Sequence, residues 1–127
     1  MALPEDFFYS KSHEWVSLEG NIATVGITDF AQSQLSDLTF VELPEVGASF
    51  SAGDEAAVVE SVKAAADVYA PIAGEIVEIN PALEDAPETI NADAFGVGWL
   101  FKLKVVDESE LDALMDASSY EEICPQT

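Results

Sequence analysis

The chain contains no arginine and only four lysines, Lys11, Lys63, Lys102 and Lys104, set against 25 aspartates and glutamates. A formal charge of -21 over 127 residues repels nucleic acid and anionic membranes alike, so neither is expected as a partner. Histidine and cysteine are each present once, as His13 and Cys124. That scarcity rules out an intrachain disulfide, a multi-cysteine metal site and an ordinary zinc site, and Cys124 reads as an incidental thiol near the C-terminus. No G-x-S-x-G sequence and no D-x-D-x-D-G calcium loop occurs. An autonomous hydrolase therefore falls behind other readings, and His13, beside Glu14 and Trp15, is expected as a packed or surface strand residue rather than a base. Gly96 and Gly98 lack a following lysine-serine pair and precede a strand pattern, which makes them turn residues rather than a phosphate loop.

Long apolar runs are missing too, so no stretch could span a bilayer. The opening Met1-Ala2-Leu3-Pro4-Glu5-Asp6 has neither a basic segment nor the composition of a transit peptide. A cytoplasmic protein is expected, or a mitochondrial one if a transit peptide was removed.

What the chain does have is enough apolar residue, nearly half, to build the core of one domain over 1–127. Phe7 to Tyr9 opens the ordered part, and His13 to Leu18 and Ile22 to Ile27 form a hairpin around Glu19-Gly20-Asn21. Thr28 offers an N-cap to a short helix over Asp29 to Leu35. Leu38 to Leu43, Ala48 to Ser51 and Ile72 to Ile79 read as further extended segments. The stretch from Asn80 through Ala94, with its prolines and acids, reads as a long surface loop holding at most one helical turn. Trp99 to Val105 is the cleanest strand, with Trp99, Phe101, Leu103 and Val105 facing the core and Lys102 and Lys104 facing away. Trp15 and Trp99 are expected in the core rather than in a ligand pocket. A C-terminal segment at about 108–124 suits two short helices, the second started by a capping box at Ser118. Gly20 to Val25 and Gly74 to Ile79 echo one another, each starting a strand after a turn glycine. Many short strands with regular turns favour a mainly β fold, a small sandwich or flattened barrel, over a parallel α/β fold.

The centre of the chain is Glu60-Ser61-Val62-Lys63-Ala64-Ala65-Ala66-Asp67-Val68-Tyr69-Ala70-Pro71. Apolar, β-prone runs lie on both sides of one lysine, and small residues follow it, which predicts a hairpin over about 56–72 with Lys63 at or near its tip. A deprotonated lysine amine is a good acyl acceptor, so Lys63 is a candidate attachment point.

Residues Glu60 to Asp67 closely resemble the lipoyl-attachment motif of the glycine cleavage system H protein family. The resemblance extends through His13-Glu14-Trp15-Val16, Ile22 to Asp29, Val41 to Gly47, Ala70-Pro71, Gly74-Glu75 and Gly96-Val97-Gly98-Trp99. It implies a lipoyl/biotinyl-domain-like sandwich of two antiparallel sheets with short helices, and lipoate joined by an amide to Lys63, with Glu60, Val62 and Ala64 recognised by the lipoate-attaching enzyme. It also implies a non-catalytic carrier that takes an aminomethyl group from glycine decarboxylase to the aminomethyltransferase and is reoxidised by dihydrolipoyl dehydrogenase, and a mobile carrier has reason to be monomeric. Ser12, Glu14 and Asp67 match the positions where the family shelters the loaded arm. Departures are Ala66 and Ala70, where serine is frequent, and Ala94-Phe95 in place of Pro-Tyr. Alternatives are an H-like relay that passes octanoyl or lipoyl groups to other proteins and an unmodified acidic interaction module. A biotin carrier fits less well, because Val62 and Ala64 replace the methionines that usually flank its lysine.

The acids are scattered rather than blocked, which favours adaptation to high salt over a dedicated docking face for basic enzymes. Screening of this repulsion should raise the thermal midpoint as salt is added. A midpoint that stays flat across a salt titration would contradict that account.

Overall fold

The computed structural model describes residues 6–123; the reading of Cys124 as a tail thiol lies outside them. Among the described residues, nine strands form two antiparallel sheets. The larger has the order β1 (Phe8–Tyr9), β2 (Glu14–Glu19), β3 (Ile22–Ile27), β9 (Phe101–Val105), β8 (Gly74–Ile79) and β5 (Ser49–Phe50). The smaller pairs β6 (Glu55–Ser61) with β4 (Leu38–Glu42) on one side and β7 (Ala65–Tyr69) on the other. The fold is thus the mainly β two-sheet sandwich expected, with short helices, and it is not closed into a barrel.

Local chemistry explains most of the elements. Gly20, at φ +62°, makes the tight turn that lets β2 and β3 pair from Glu19↔Ile22 to Glu14↔Ile27. Thr28 caps α1 (Asp29–Leu35): its hydroxyl accepts from the Ala31 amide at 3.2 Å, a contact of the kind worth about 1 kcal/mol. Between the sheets, Val25, Leu103 and Ile76 from the larger share one apolar core with Val41, Val59 and Val68 from the smaller.

The larger sheet is also covered on its second face at one end. Tyr9, Trp15, Phe30 and Tyr120 form a separate buried cluster there, with Tyr9 and Tyr120 stacked at 4.8 Å between ring centroids. This is why Glu14, Trp15 and Val16 are all buried although neighbouring strand residues face opposite ways.

Four sequence expectations are corrected. The stretch after Asn80 is not a surface loop: it folds into α2 (Ala82–Asp85) and α3 (Thr89–Ala92), whose Leu83 and Ile90 are fully buried in the main core. The strand expected to begin at Trp99 begins at Phe101; Leu100 is the fully buried residue, while Trp99 is half-buried under the Lys102 ammonium at 5.1 Å. Helix α4 (Ala117–Ile123) is capped by Asp116, which accepts from the Ser119 amide at 2.8 Å, rather than by Ser118. The preceding turn, Glu108–Ala113, is a 3₁₀ helix. Gly74 is no turn glycine either. It is the first residue of β8 and begins that strand as expected, but an added Cβ there would stand 2.6 Å from the Lys104 carbonyl oxygen, so the echo with Gly20 joins two different needs.

Leu83→Ala should lower unfolding free energy by about 2–5 kcal/mol, the usual cost of emptying a buried leucine site. Denaturant titration checks it; a near-silent substitution would return the segment to the surface.

Candidate functional site

Strands β6 and β7 run antiparallel with Glu60 opposite Ala65, leaving Val62, Lys63 and Ala64 to turn the chain. The turn is organised by Ser61. Its amide donates to the Ala64 carbonyl at 2.7 Å, and its hydroxyl accepts from the amides of Lys63 at 3.3 Å and Ala64 at 3.1 Å. Strand β4 braces the other side of β6. Thr39 donates its hydroxyl to the Glu60 carbonyl at 3.3 Å, and the Val62 amide donates to the Asp37 carbonyl at 3.3 Å. Lys63 is exposed at the tip, as are Glu60, Val62 and Ala64 around it. Among the described residues the ion pair is Lys102 with Glu78, at 3.9 Å, so Lys63 has no carboxylate holding it down. An accessible amine on a short braced turn, beside small side chains, suits acylation by an enzyme that must enclose it.

A second feature lies where the larger sheet meets β7. Glu14 is 1% exposed, yet it has no cationic partner among the described residues. Its Oε1 accepts from the hydroxyls of Ser10 and Ser12, both at 2.5 Å, and its Oε2 accepts from the Tyr69 amide at 3.2 Å. Burial pushes the Glu14 carboxyl above its ordinary value, and the bonds from Ser10, Ser12 and Tyr69 oppose that shift in part. A carboxylate satisfied only by neutral donors remains poorly solvated. An arriving ammonium would therefore gain more from it than from an acid in open water.

The structure thus brings Ser12 and Glu14 together. Asp67 stands apart, exposed on β7 opposite Val58 and two residues before Tyr69, about 6.6 Å along the strand. It shares no hydrogen bond with Ser12 or Glu14. An open groove lined by Ser49, Phe50, Gly53, Asp54, Glu55 and Tyr69 adjoins the same strand end.

Sequence reasoning missed two contributors. Ser61, two residues before the lysine, has the signature of a side chain that closes a turn on its own backbone, and that signal was readable. Ser10 carries no such sign, because its role depends on how the loop before β2 folds. His13 is a packed residue, its Nδ1 2.7 Å from the Tyr120 hydroxyl. No group of histidines, cysteines and acids suited to a metal ion occurs among the described residues. Nor is any helix among them long and apolar enough to cross a membrane.

A two-sheet sandwich that offers one unpaired lysine from the turn of its smaller sheet defines a class of lysine-presenting β domains. Comparison with known proteins narrows the class. The family described as Glycine cleavage H-protein matches residues 7–127. The glycine cleavage system H protein of Pseudoalteromonas translucida (strain TAC 125) is 61% identical over 119 residues, covering 93% of this chain and 92% of that one. The protein of the same name from Thermus thermophilus is 55% identical over 123 residues, covering 97% and 96%. A crystal structure of a glycine cleavage system H protein from Mycobacterium marinum superposes with a TM-score of 0.85 at 41% identity, covering 94% of this chain and 97% of that one. The chain belongs to the glycine cleavage H-protein family.

The Glu14 geometry carries a signed pH dependence. A folded carboxyl raised above its unfolded value binds its proton more tightly in the native state, so its contribution is greatest at low pH and is lost as pH rises through the folded value. Stability of the parent relative to Glu14→Gln should therefore decline from acid pH toward neutrality. Denaturant unfolding of both proteins at matched salt measures it, and a gap constant with pH would show the carboxyl unshifted.

Proposed function

We propose that this chain is the lipoyl-bearing carrier of the glycine cleavage system, with lipoate joined by an amide to the Nζ of Lys63. The observation that carries the reading is the position of Lys63: exposed, free of any ion pair among the described residues, and fixed at its backbone by Ser61 on a turn braced by β4. Membership of the H-protein family supports it.

Once attached, lipoate supplies a ring disulfide opened by attack at sulfur, which takes up electrons and a carbon fragment. The chain supplies everything else. Ser61 sets the direction in which the lysine leaves the turn, and Ala64 and Ala65 leave room for the lipoate-attaching enzyme, with Glu60 and Val62 the flanking side chains it reads. The covalent tether keeps the load from diffusing away and raises its local concentration at each docked enzyme. Those enzymes are glycine decarboxylase, the aminomethyltransferase and dihydrolipoyl dehydrogenase, which perform the bond-making while this protein carries. Glu14, with Ser12, holds the ammonium of the load by charge-assisted hydrogen bonds and shields it from water, and Asp67 adds a second carboxylate from β7. Residues 1–127 act as one monomeric carrier domain, its lipoyl hairpin at about 56–72 and its helical segment at about 108–124. It works in the cytoplasm beside those enzymes.

Expression in a lipoylating host followed by intact-mass measurement and peptide mapping should place one lipoyl increment on Lys63. Lys63→Arg should abolish both the increment and glycine turnover in a system reconstituted with the three enzymes. Turnover that survives the substitution, or an increment on another lysine, would refute the assignment. A modified protein inert in glycine-dependent exchange with the decarboxylase would point instead to a lipoate relay.

A further inference from the structure

The residue just before Glu14 adopts a conformation that its own side chain does not favour. His13 has φ +72°, in the left-handed region that costs a non-glycine residue on the order of 1 kcal/mol or more. This kink turns the chain between Ser12 and Glu14, in the loop that directs the hydroxyls of both Ser10 and Ser12 onto Glu14 Oε1. Something must hold it. The His13 amide donates to the Ser10 carbonyl at 3.1 Å, and the His13 carbonyl accepts from the Thr28 amide at 3.0 Å. The imidazole packs on Phe30 at 4.8 Å between centroids and meets the Tyr120 hydroxyl through Nδ1 at 2.7 Å.

Tyr120 belongs to α4, more than a hundred residues away in sequence, and is fully buried. Its hydroxyl is also 2.7 Å from Thr28 Oγ1, which already accepts from the Ala31 amide. Burial lowers the His13 pKa and keeps the ring neutral. A proton arrangement that fits these contacts has the Ala31 amide donating to Thr28 Oγ1, the Thr28 hydroxyl to Tyr120, and the Tyr120 hydroxyl to His13 Nδ1. In that arrangement the proton of His13 lies on Nε2, and the ring is held by a residue more than a hundred positions away in sequence.

We infer that Tyr120 is a positioning residue for the arm-holding site: through His13 it sets the loop that presents Ser10, Ser12 and Glu14. The inference rests on the proposed arm-holding role of Glu14. Tyr120→Phe removes one oxygen and keeps the ring that stacks on Tyr9, while the contacts of the hydroxyl with His13 and Thr28 are lost.

The test follows release of the load from purified, loaded protein by mass over time, alone in buffer, for the parent, Tyr120→Phe, His13→Asn, the double variant, Glu14→Ala and Asp67→Ala. Tyr120→Phe should speed release about three- to ten-fold, corresponding to ~1 kcal/mol of lost positioning. The double variant should be no faster than the faster single one, since both break one linkage. In the unloaded protein, the ¹⁵N shifts of the His13 ring should leave the single Nε2-protonated tautomer in Tyr120→Phe while thermal melting still shows a cooperative fold. Multiplicative effects in the double variant, or an unchanged tautomer, would overturn the inference. Should Glu14→Ala speed release and Tyr120→Phe not, the inference alone fails. If neither Glu14→Ala nor Asp67→Ala speeds release, the arm-holding reading fails and this inference goes with it.

Discussion

The hydrogen bond from the Tyr69 amide to Glu14 is the contact on which the architecture turns. Tyr69 closes the strand that descends from the lysine, and Glu14 opens the second strand of the other sheet, so a buried carboxylate ties the end of the hairpin to the larger sheet beside the apolar core they share. Such a fastening is costly, because a carboxylate removed from water must be repaid by its donors. Apolar packing between the sheets already holds them with less penalty. Three neutral donors meet this acid and no cation does among the described residues, which is the arrangement the proposed function draws on.

Charge elsewhere obeys a different logic. With 25 acids and four lysines, the described surface has one ion pair, and the acids repel one another with little to offset them. Exposed pairs contribute little in any case, about 0–1 kcal/mol each. Stability must come from the shared core between the sheets and from the aromatic cluster beneath α4. Lysine is scarce as well: Lys102 is engaged by Glu78 and Trp99, and the other lysines, Lys11, Lys63 and Lys104, are exposed, of which Lys63 stands at the turn between β6 and β7.

Where sequence and structure agree, the signal was local. The cap at Thr28, the alternation through Phe101 and Leu103, and small residues after Lys63 each follow from a few neighbours along the chain. Where they part, the deciding contact was distant. Leu83 and Ile90 are single apolar residues among acids and prolines, too sparse to reveal helical periodicity, and only their burial against β strands makes them core. Near Ser118 two capping patterns overlap, and the chain uses Asp116. Glu14 sits where alternation would have sent an acid to solvent, because Trp15 and Val16 are buried on opposite faces by different clusters. Nothing near His13 announces a positive φ, and the resemblance that pointed to Ser12 and Glu14 could not say how they meet.

Strand β9 lies between β3 and β8, pairing Ala23 with Leu103 across some eighty residues. Contacts of such long range slow folding, because a large loop must close before any pairing rewards it. The lysine hairpin needs no such wait, since β6 and β7 are joined by three residues. On the ribosome the hairpin therefore emerges well before the strand that completes the larger sheet. A nascent chain can form the turn that carries Lys63 before the central strand of the larger sheet has been made.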